Sequence, residues 1–386
     1  MAYNRKQRLN DNIKAIETAF ILDREQRTPT ARERLLLERY CGFGGLKCIL
    51  NPARELADAV HWAKSDLELF APTVELHRLI RENSKNESEY KQLMDSLKQS
   101  VLTAFYTPSA ITEALADVLK EHQIIPEKVL EPSAGIGAFV DSVLDNNPKA
   151  DIMAFEKDLL TGKILHHLHP EQKVRIEGFE KIEKPFNDYF DLAISNIPFG
   201  DVAVFDPSYT AMKGMRALVT RRIHNYFFVK ALDTVRDGGL VAFITSQGVL
   251  NAKNNSAARF MMLYHADLVS AIRLPNNLFT ENANTEVGSD LIILQKNTQK
   301  ESLRGDDNLL DTVYNDENRI PTNNYFLEHP ERIIHTTAKL DTDPFGKPAM
   351  IYTHEDGVEG IAEDLRKMLH EDFKKNFNLN RYLGIE

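Results

Sequence analysis

A chain of 386 residues with 42% hydrophobic and 27% charged side chains can bury a sizeable core, and its length accommodates a full α/β domain plus a smaller one. The formal net charge of -10 weighs against a protein that coats nucleic acid, although nine basic against six acidic side chains over residues 1–40 leave room for a local basic face. No apolar run approaches the ~20 residues needed to cross a bilayer, the start lacks a signal-peptide core, and Cys41 and Cys48 are too few for a structural metal set, so a cytoplasmic protein with reduced thiols, no membrane contact and no metal is expected.

Through the first hundred residues apolar side chains recur at helical spacing. Leu9, Ile13, Ile16 and Phe20 form one such row and Leu56, Val60, Ala63 and Leu67 another, which predicts a helical domain over residues 1–95. Thr28-Pro29 and Asn51-Pro52 read as helix starts, and Cys41-Gly42-Phe43-Gly44-Gly45 as a break between helices. The polar stretch 81–100 is expected to contain the domain boundary.

From Leu102 the pattern changes to short apolar runs alternating with amphipathic helices, which predicts an α/β, Rossmann-like domain over residues 101–300 with a seven-stranded, mainly parallel sheet. The expected strands are 128–131, 151–156, 173–177, 189–195, 240–245, 268–274 and 291–295, with helices at 108–121, 158–166 and 225–235. Only a short connection separates the last two strands, so the sheet should end in an antiparallel hairpin. Residues 301–386 read as a C-terminal extension: an acidic stretch with six acids against two arginines over 301–320, a short strand at 350–352 and a helix at about 358–373.

Val129 to Phe139 reads as strand, tight glycine turn, helix, with Gly135 and Gly137 permitting backbone to approach a ligand at the end of the first strand. A dinucleotide fingerprint would place a third small residue where Val140 stands, so that reading is weak. Nineteen residues beyond Gly137, at the end of the next strand, Glu156 is placed to accept hydrogen bonds from ribose hydroxyls, which suits an adenosine-type cofactor.

A later strand delivers Asn196-Ile197-Pro198-Phe199 to its carboxyl end, where open α/β sheets hold ligands. An exocyclic purine amine is a poor nucleophile because its lone pair is delocalised into the ring. The side-chain oxygen of Asn196 and the backbone carbonyl of Ile197 can each accept one amine hydrogen and stabilise the charge that develops during attack on a methyl sulfonium. Pro198 stiffens the turn, and Phe199 offers a face on which a base flipped out of a duplex can stack.

In order and content, residues 30 to 297 resemble the N6-adenine DNA methyltransferases, in particular the large methylase-helicase proteins of phages and mobile elements, some tied to restriction-modification. The resemblance implies that the chain carries S-adenosylmethionine, that Phe105, Tyr106, Thr107 and Pro108 contact its methionine part, and that Glu131, Ser133, Ala134, Gly135 and Gly137 form the cofactor loop. It further implies that Glu156 binds the ribose, that Phe179 and Glu180, after Gly178, lie beside the cofactor adenine, and that Asn196, Ile197, Pro198 and Phe199 are the catalytic tetrapeptide acting on adenine N6 in DNA, with Asn196 also contacting the cofactor. The stretches Arg273 to Asn277 and Gly288 to Asp290 also match this group. Members most often have proline where Ile197 stands, and they continue into a helicase, whereas this sequence holds no GxxxxGK[ST] loop, which suggests a fragment or a stand-alone version with a helicase as partner. A protein-glutamine methyltransferase, an RNA adenine methyltransferase and an inactive cofactor- or DNA-binding relative are the alternatives.

Between Gly200 and Ile223, Lys213, Arg216, Arg221 and Arg222 are expected to grip target-strand phosphates. His166, His167 and His169 have no acid or cysteine at ligand spacing and read as exposed imidazoles at a helix end.

Overall fold

A computed structural model describes residues 4–103, 106–212, 214–280, 286–303, 307–315, 319–343 and 346–385. The amino-terminal part is helical. Helix α1 (Arg5–Glu25) starts where the Asn4 side chain accepts from the Gln7 amide, and α2 (Ala31–Leu37) starts on a capping box between Thr30 and Glu33. The cap is therefore Thr30, two residues beyond the Thr28 expected from sequence. Leu9, Ile13, Ile16 and Phe20 are buried along α1 as their spacing predicts.

The second predicted row is not a helix face. Residues Leu56–His61 and Lys64–Leu69 form two short 3₁₀ turns, and Leu56, Val60 and Leu67 face solvent. Trp62 is the buried anchor instead: its indole N–H donates to the Pro52 carbonyl and its ring packs edge-on to Phe70, so the chain turns rather than continuing one helix. No α-helix begins at Asn51-Pro52.

Helices α3 (Phe70–Glu82) and α4 (Glu87–Thr103) complete this region, and the stretch expected to hold a domain boundary is largely the continuous α4. Its Ser96 hydroxyl donates to Asp158 and accepts from the Leu160 amide, which pins the N-terminal helices to the start of α7 (Leu159–Leu168). Asp23 of α1 reaches the same helix through Lys163 and His167. Leu160, Ile164 and Leu168 of α7 lie in the apolar cluster of the N-terminal helices.

The rest is a three-layer α/β fold. The sheet contains β1 (Lys128–Glu131), β2 (Asp151–Phe155), β3 (Lys173–Arg175), β4 (Phe190–Asn196), β5 (Val235–Ser246), β6 (Ala266–Leu274) and β7 (Ser289–Lys296), in the order β3-β2-β1-β4-β5-β7-β6. Strands β1 to β5 are parallel, and β7 runs antiparallel between β5 and β6, as the predicted terminal hairpin requires. Alternate residues of each strand feed opposite faces: Val129, Ile152, Leu192 and Leu240 pack towards α5 (Ser109–Glu121) and α6 (Ala138–Asn146), while Leu130, Met153, Ala193 and Val241 meet an aromatic layer. After β4 come α8 (Pro207–Thr210), α9 (Met215–Val219) and α10 (Ile223–Thr234), and after β5 come α11 (Gly248–Asn251) and α12 (Ser256–His265). No helix among the described residues is long and apolar enough to cross a membrane.

The C-terminal segment is part of the core rather than an appendage. Helix Gly357–Asn376 places Ile361, Leu365, Leu369 and Phe373 in the same cluster as α5, and strands Thr337–Thr342 and Pro348–Thr353 pair antiparallel beside it. The stretches Arg273 to Asn277 and Gly288 to Asp290 hold this arrangement. Arg273 and Asp290 form a fully buried pair at 2.9 Å, Asn276 accepts from the Tyr352 amide, and Asn277 exchanges two hydrogen bonds with His354. Buried Arg259 donates to the backbone carbonyls of Val249, Ala252 and Leu310, and burial, only partly opposed by the Asp311 charge, pushes its pKa down to about 10.

Arg273→Met strands Asp290 in the core, so unfolding by denaturant should show a loss of about 3–5 kcal/mol, of which most returns when Asp290→Leu is added. A double variant as unstable as the single one would mean that the pair is not the source of the loss.

Candidate functional site

Three strands end in polar side chains at one edge of the sheet: Glu131 on β1, Asn196 on β4 and, one residue past β2, Glu156. Between β1 and α6 the chain turns through Gly135 at φ +56° and Gly137 at φ +93°, a region that side chains with a Cβ rarely adopt. Space makes the same demand. A Cβ on Gly135 would lie 2.9 Å from the Tyr106 ring, and one on Gly137 would lie 2.6 Å from Nε2 of His169. The turn is docked by its amides: Ala134 donates to the Phe155 carbonyl at 2.8 Å, and Gly135 donates to the Glu156 carboxylate at 2.8 Å.

The second oxygen of Glu156 accepts from the Asp158 amide at 2.7 Å. Part of Glu156 remains open to solvent, yet protein surrounds the carboxyl closely enough that burial, with the Asp158 charge second, pushes its pKa up to about 8. Glu131 is fully buried. One of its oxygens accepts from the Ser133 amide at 3.2 Å, the other makes no well-formed hydrogen bond although the Ser195 hydroxyl stands near, and burial pushes its pKa up to about 8 against the opposing effect of both donors. No cation neutralises either acid among the described residues, whereas the structural acids Asp290, Asp206 and Asp233 each have one. Acids left this way, beside a backbone turn that excludes a Cβ, can accept hydrogen bonds from the hydroxyl groups of a ligand.

The other predicted cofactor residues are distributed as follows. Phe105 lies outside the described residues. Tyr106 covers the glycine turn, with its hydroxyl 3.4 Å from that of Thr161, and the buried Thr107 hydroxyl meets no partner. Pro108 precedes α5 and its carbonyl accepts from Ile111. Phe179 is core: its ring is enclosed by Phe155 and Phe227, which leaves the partly exposed Glu180 as the member of that pair open to a ligand. A cleft of ≈ 360 Å³ adjoins Tyr106, Thr107 and Pro108, and its far wall is made by Arg8, Tyr40 and Cys41 of the N-terminal helices. That contribution was not visible in sequence, because the wall forms only once α1 docks; Asn12, which clamps the Cys41 to Gly45 turn through Cys41 N–H and the Gly42 carbonyl, is the residue that shapes it.

At the end of β4, Asn196, Pro198 and Phe199 are partly exposed while the Ile197 side chain is buried in the aromatic layer. Ile197 also donates its N–H to the Ile244 carbonyl at 3.0 Å, extending the β4–β5 ladder by a bond that proline cannot make. Phe199 meets Phe279 edge-on at 6.4 Å, so a second aromatic ring, four residues past Pro275, joins the tetrapeptide.

The basic segment divides. Lys213 lies outside the described residues. Arg216 is held by both oxygens of Asp233 at 2.7 and 2.9 Å, and Arg222 by Asp201 and Asn255, so both are occupied in fixing the loop. Arg221 is exposed and remains available to a phosphate. Of the three histidines His166 is exposed as expected, whereas His167 and His169 are buried, His167 on Asp23 and His169 against Gly137. No three metal-ligating side chains cluster among the described residues.

A family model described as N-6 DNA Methylase matches residues 88–351. Among curated proteins, the chain is 29% identical over 201 residues to Defense against restriction protein B of Escherichia phage P1, a match covering 50% of this chain and 8% of that protein. It is 25% identical over 173 residues to Type II methyltransferase M.XamI of Xanthomonas campestris pv. amaranthicola, covering 42% of this chain and 33% of that enzyme. Among solved structures, a putative class I S-adenosylmethionine-dependent methyltransferase from Listeria monocytogenes superposes with a TM-score of 0.44 at 16% identity, covering 77% of this chain and 90% of that one.

With both acids raised from 4.5 to about 8, each favours folding when protonated, and that contribution is present at low pH and lost as pH rises through the window from 4.5 to about 8. The melting temperature of the ligand-free protein should therefore fall across that window, and a Glu131→Gln, Glu156→Gln variant should show a flatter profile. Parallel profiles would refute the assignment.

Proposed function

The chain belongs to the N-6 DNA methylase family, and from that premise we propose that it transfers a methyl group from S-adenosylmethionine to the N6 amine of adenine in DNA. The observation that carries this reading is the Asn196-Ile197-Pro198-Phe199 turn at the end of β4, beside a glycine turn and two acids without cations. S-adenosylmethionine supplies the electrophilic methyl group. Gly135 and Gly137 admit the cofactor to the backbone, Glu156 takes its ribose hydroxyls, Tyr106, Thr107 and Pro108 border its methionine end, and Glu180 lies towards its adenine.

The remaining chemistry belongs to the tetrapeptide. Asn196 Oδ1 and the Ile197 carbonyl each accept one N6 hydrogen, which localises the lone pair for attack and stabilises the positive charge formed on nitrogen. With the cofactor bound, its methyl group would pass to N6 as the bond to sulfur breaks, and the surplus N6 proton would leave to solvent. Phe199 holds the base in plane. Because the buried Ile197 side chain points away from solvent, the residue type at this position matters less than its carbonyl. Arg221 contacts phosphate.

Methyl-labelled cofactor and mixed-sequence genomic DNA should give N6-methyladenine. Asn196→Ala should lower the rate by about 10²–10³ with cofactor affinity retained. Ile197→Pro keeps the carbonyl but deletes the bond to Ile244, so it should cost about 1 kcal/mol of stability while methylation persists. Label appearing in protein or RNA but in no DNA would sink this reading.

A further inference from the structure

Five residues beyond Gly200, Phe205 projects into solvent with 79% of its surface exposed, more than any other aromatic side chain among the described residues. Such exposure is ordinary on a slack loop, but this loop is held on both sides of the ring. Val204 donates its N–H to the Thr220 carbonyl at 2.8 Å, and its side chain packs on the aromatic layer. Asp206 is buried, accepting from the Tyr226 hydroxyl at 2.7 Å and from Lys230 at 3.2 Å, and it caps α8 through the Ser208 amide. Asp201 and Arg222, paired at 2.8 Å, close the base of the loop.

The ring is therefore an apolar wedge on a fixed mount. It lies six positions beyond Phe199, so their Cα atoms cannot be more than about 20 Å apart. Exposed Arg221 belongs to the same segment and can meet the sugar-phosphate strand on which such a wedge would bear.

An adenine that swings out of a duplex leaves a gap in the base stack, and its neighbours lose stacking until something planar fills the space. We propose that Phe205 is the side chain that enters the duplex at this gap, stacking on the flanking base pairs while the adenine occupies the pocket at Phe199. This rests on the DNA-adenine reading above. Phe205 is then a positioning residue: it holds the extruded state open and touches neither the cofactor nor the amine. Burial of an exposed phenylalanine ring offsets part of the unstacking, and the anchored Val204 and Asp206 keep the ring from folding back instead of inserting.

The test uses duplexes carrying the sequence context mapped from wild-type products, with the target adenine paired to thymine, placed opposite an abasic site, or in the single strand. Phe205→Ala should lose about tenfold or more in kcat/KM on the paired duplex, because unpairing one base costs a few kcal/mol. On the abasic duplex and the single strand it should stay within about twofold of wild type, since little or no pairing remains to be overcome. Phe205→Trp should restore the paired substrate. Fluorescence of 2-aminopurine at the target position, which rises on extrusion, should fall for Phe205→Ala on the paired duplex without any methyl transfer being needed.

Equal losses on all three substrates, or no loss on the paired duplex, would overturn the proposal; the second outcome, with binding to a protein partner reduced instead, would assign the ring to a protein interface. A wild-type chain that methylates no DNA in any form would remove the underlying reading, and the wedge with it.

Discussion

The hydrogen bond from the Gly135 amide to the Glu156 carboxylate is the contact on which the site's geometry depends, because it ties the backbone of the turn after β1 directly to the acid that follows β2. A backbone amide can reach that carboxylate only if the turn passes through left-handed conformations, and the Tyr106 ring lies close enough to exclude a Cβ there. Glu156 is thereby oriented before any ligand arrives. The cost is a buried acid with no cation beside it: burial, with the Asp158 charge second, raises its pKa, and the amide hydrogen bonds offset only part of that rise.

A second constraint acts at the other end of the sheet. Strand β7 enters antiparallel between β5 and β6, and its Asp290 is buried against Arg273. Once that pair forms, the chain after Leu274 has a fixed exit, and the side-chain amides of Asn276 and Asn277 hold the backbone of the Pro348–Thr353 strand and of His354. Helix Gly357–Asn376 then completes the layer beside α5. The stretches Arg273 to Asn277 and Gly288 to Asp290 thus serve the packing of the C-terminal segment, and Phe279, beyond the same run, reaches the Asn196 to Phe199 turn.

The segment after the tetrapeptide shows how charge can mislead when it is read without partners. Arg216, Arg222 and Lys230 are cations close in sequence to the reactive turn, yet Asp233, Asp201 and Asp206 take them up. Their work is to make the loop stiff. Among the described residues that stiffness presents Phe205 and Arg221 to solvent, which suits the nucleic-acid reading proposed above.

Much of this was legible in the residues themselves. Strand alternation, the Gly135 and Gly137 turn, Glu156 at the next strand end and the Asn196 to Phe199 turn follow from local periodicity and turn chemistry, because each is encoded within one strand and the loop that follows it. The Leu56, Val60, Ala63 and Leu67 row failed because spacing alone cannot tell a helix from two 3₁₀ turns; the Trp62 bond to Pro52 decided it. Tertiary structure alone decided which basic side chains were free, which histidines were buried, that Ile197 turns its side chain into the core, and that Arg8, Tyr40 and Cys41 wall a cleft at the cofactor motif. Those outcomes depend on pairs far apart in the chain, such as Asp23 with His167 and Ser96 with Asp158, and no local pattern records a partner 62 or 144 residues away.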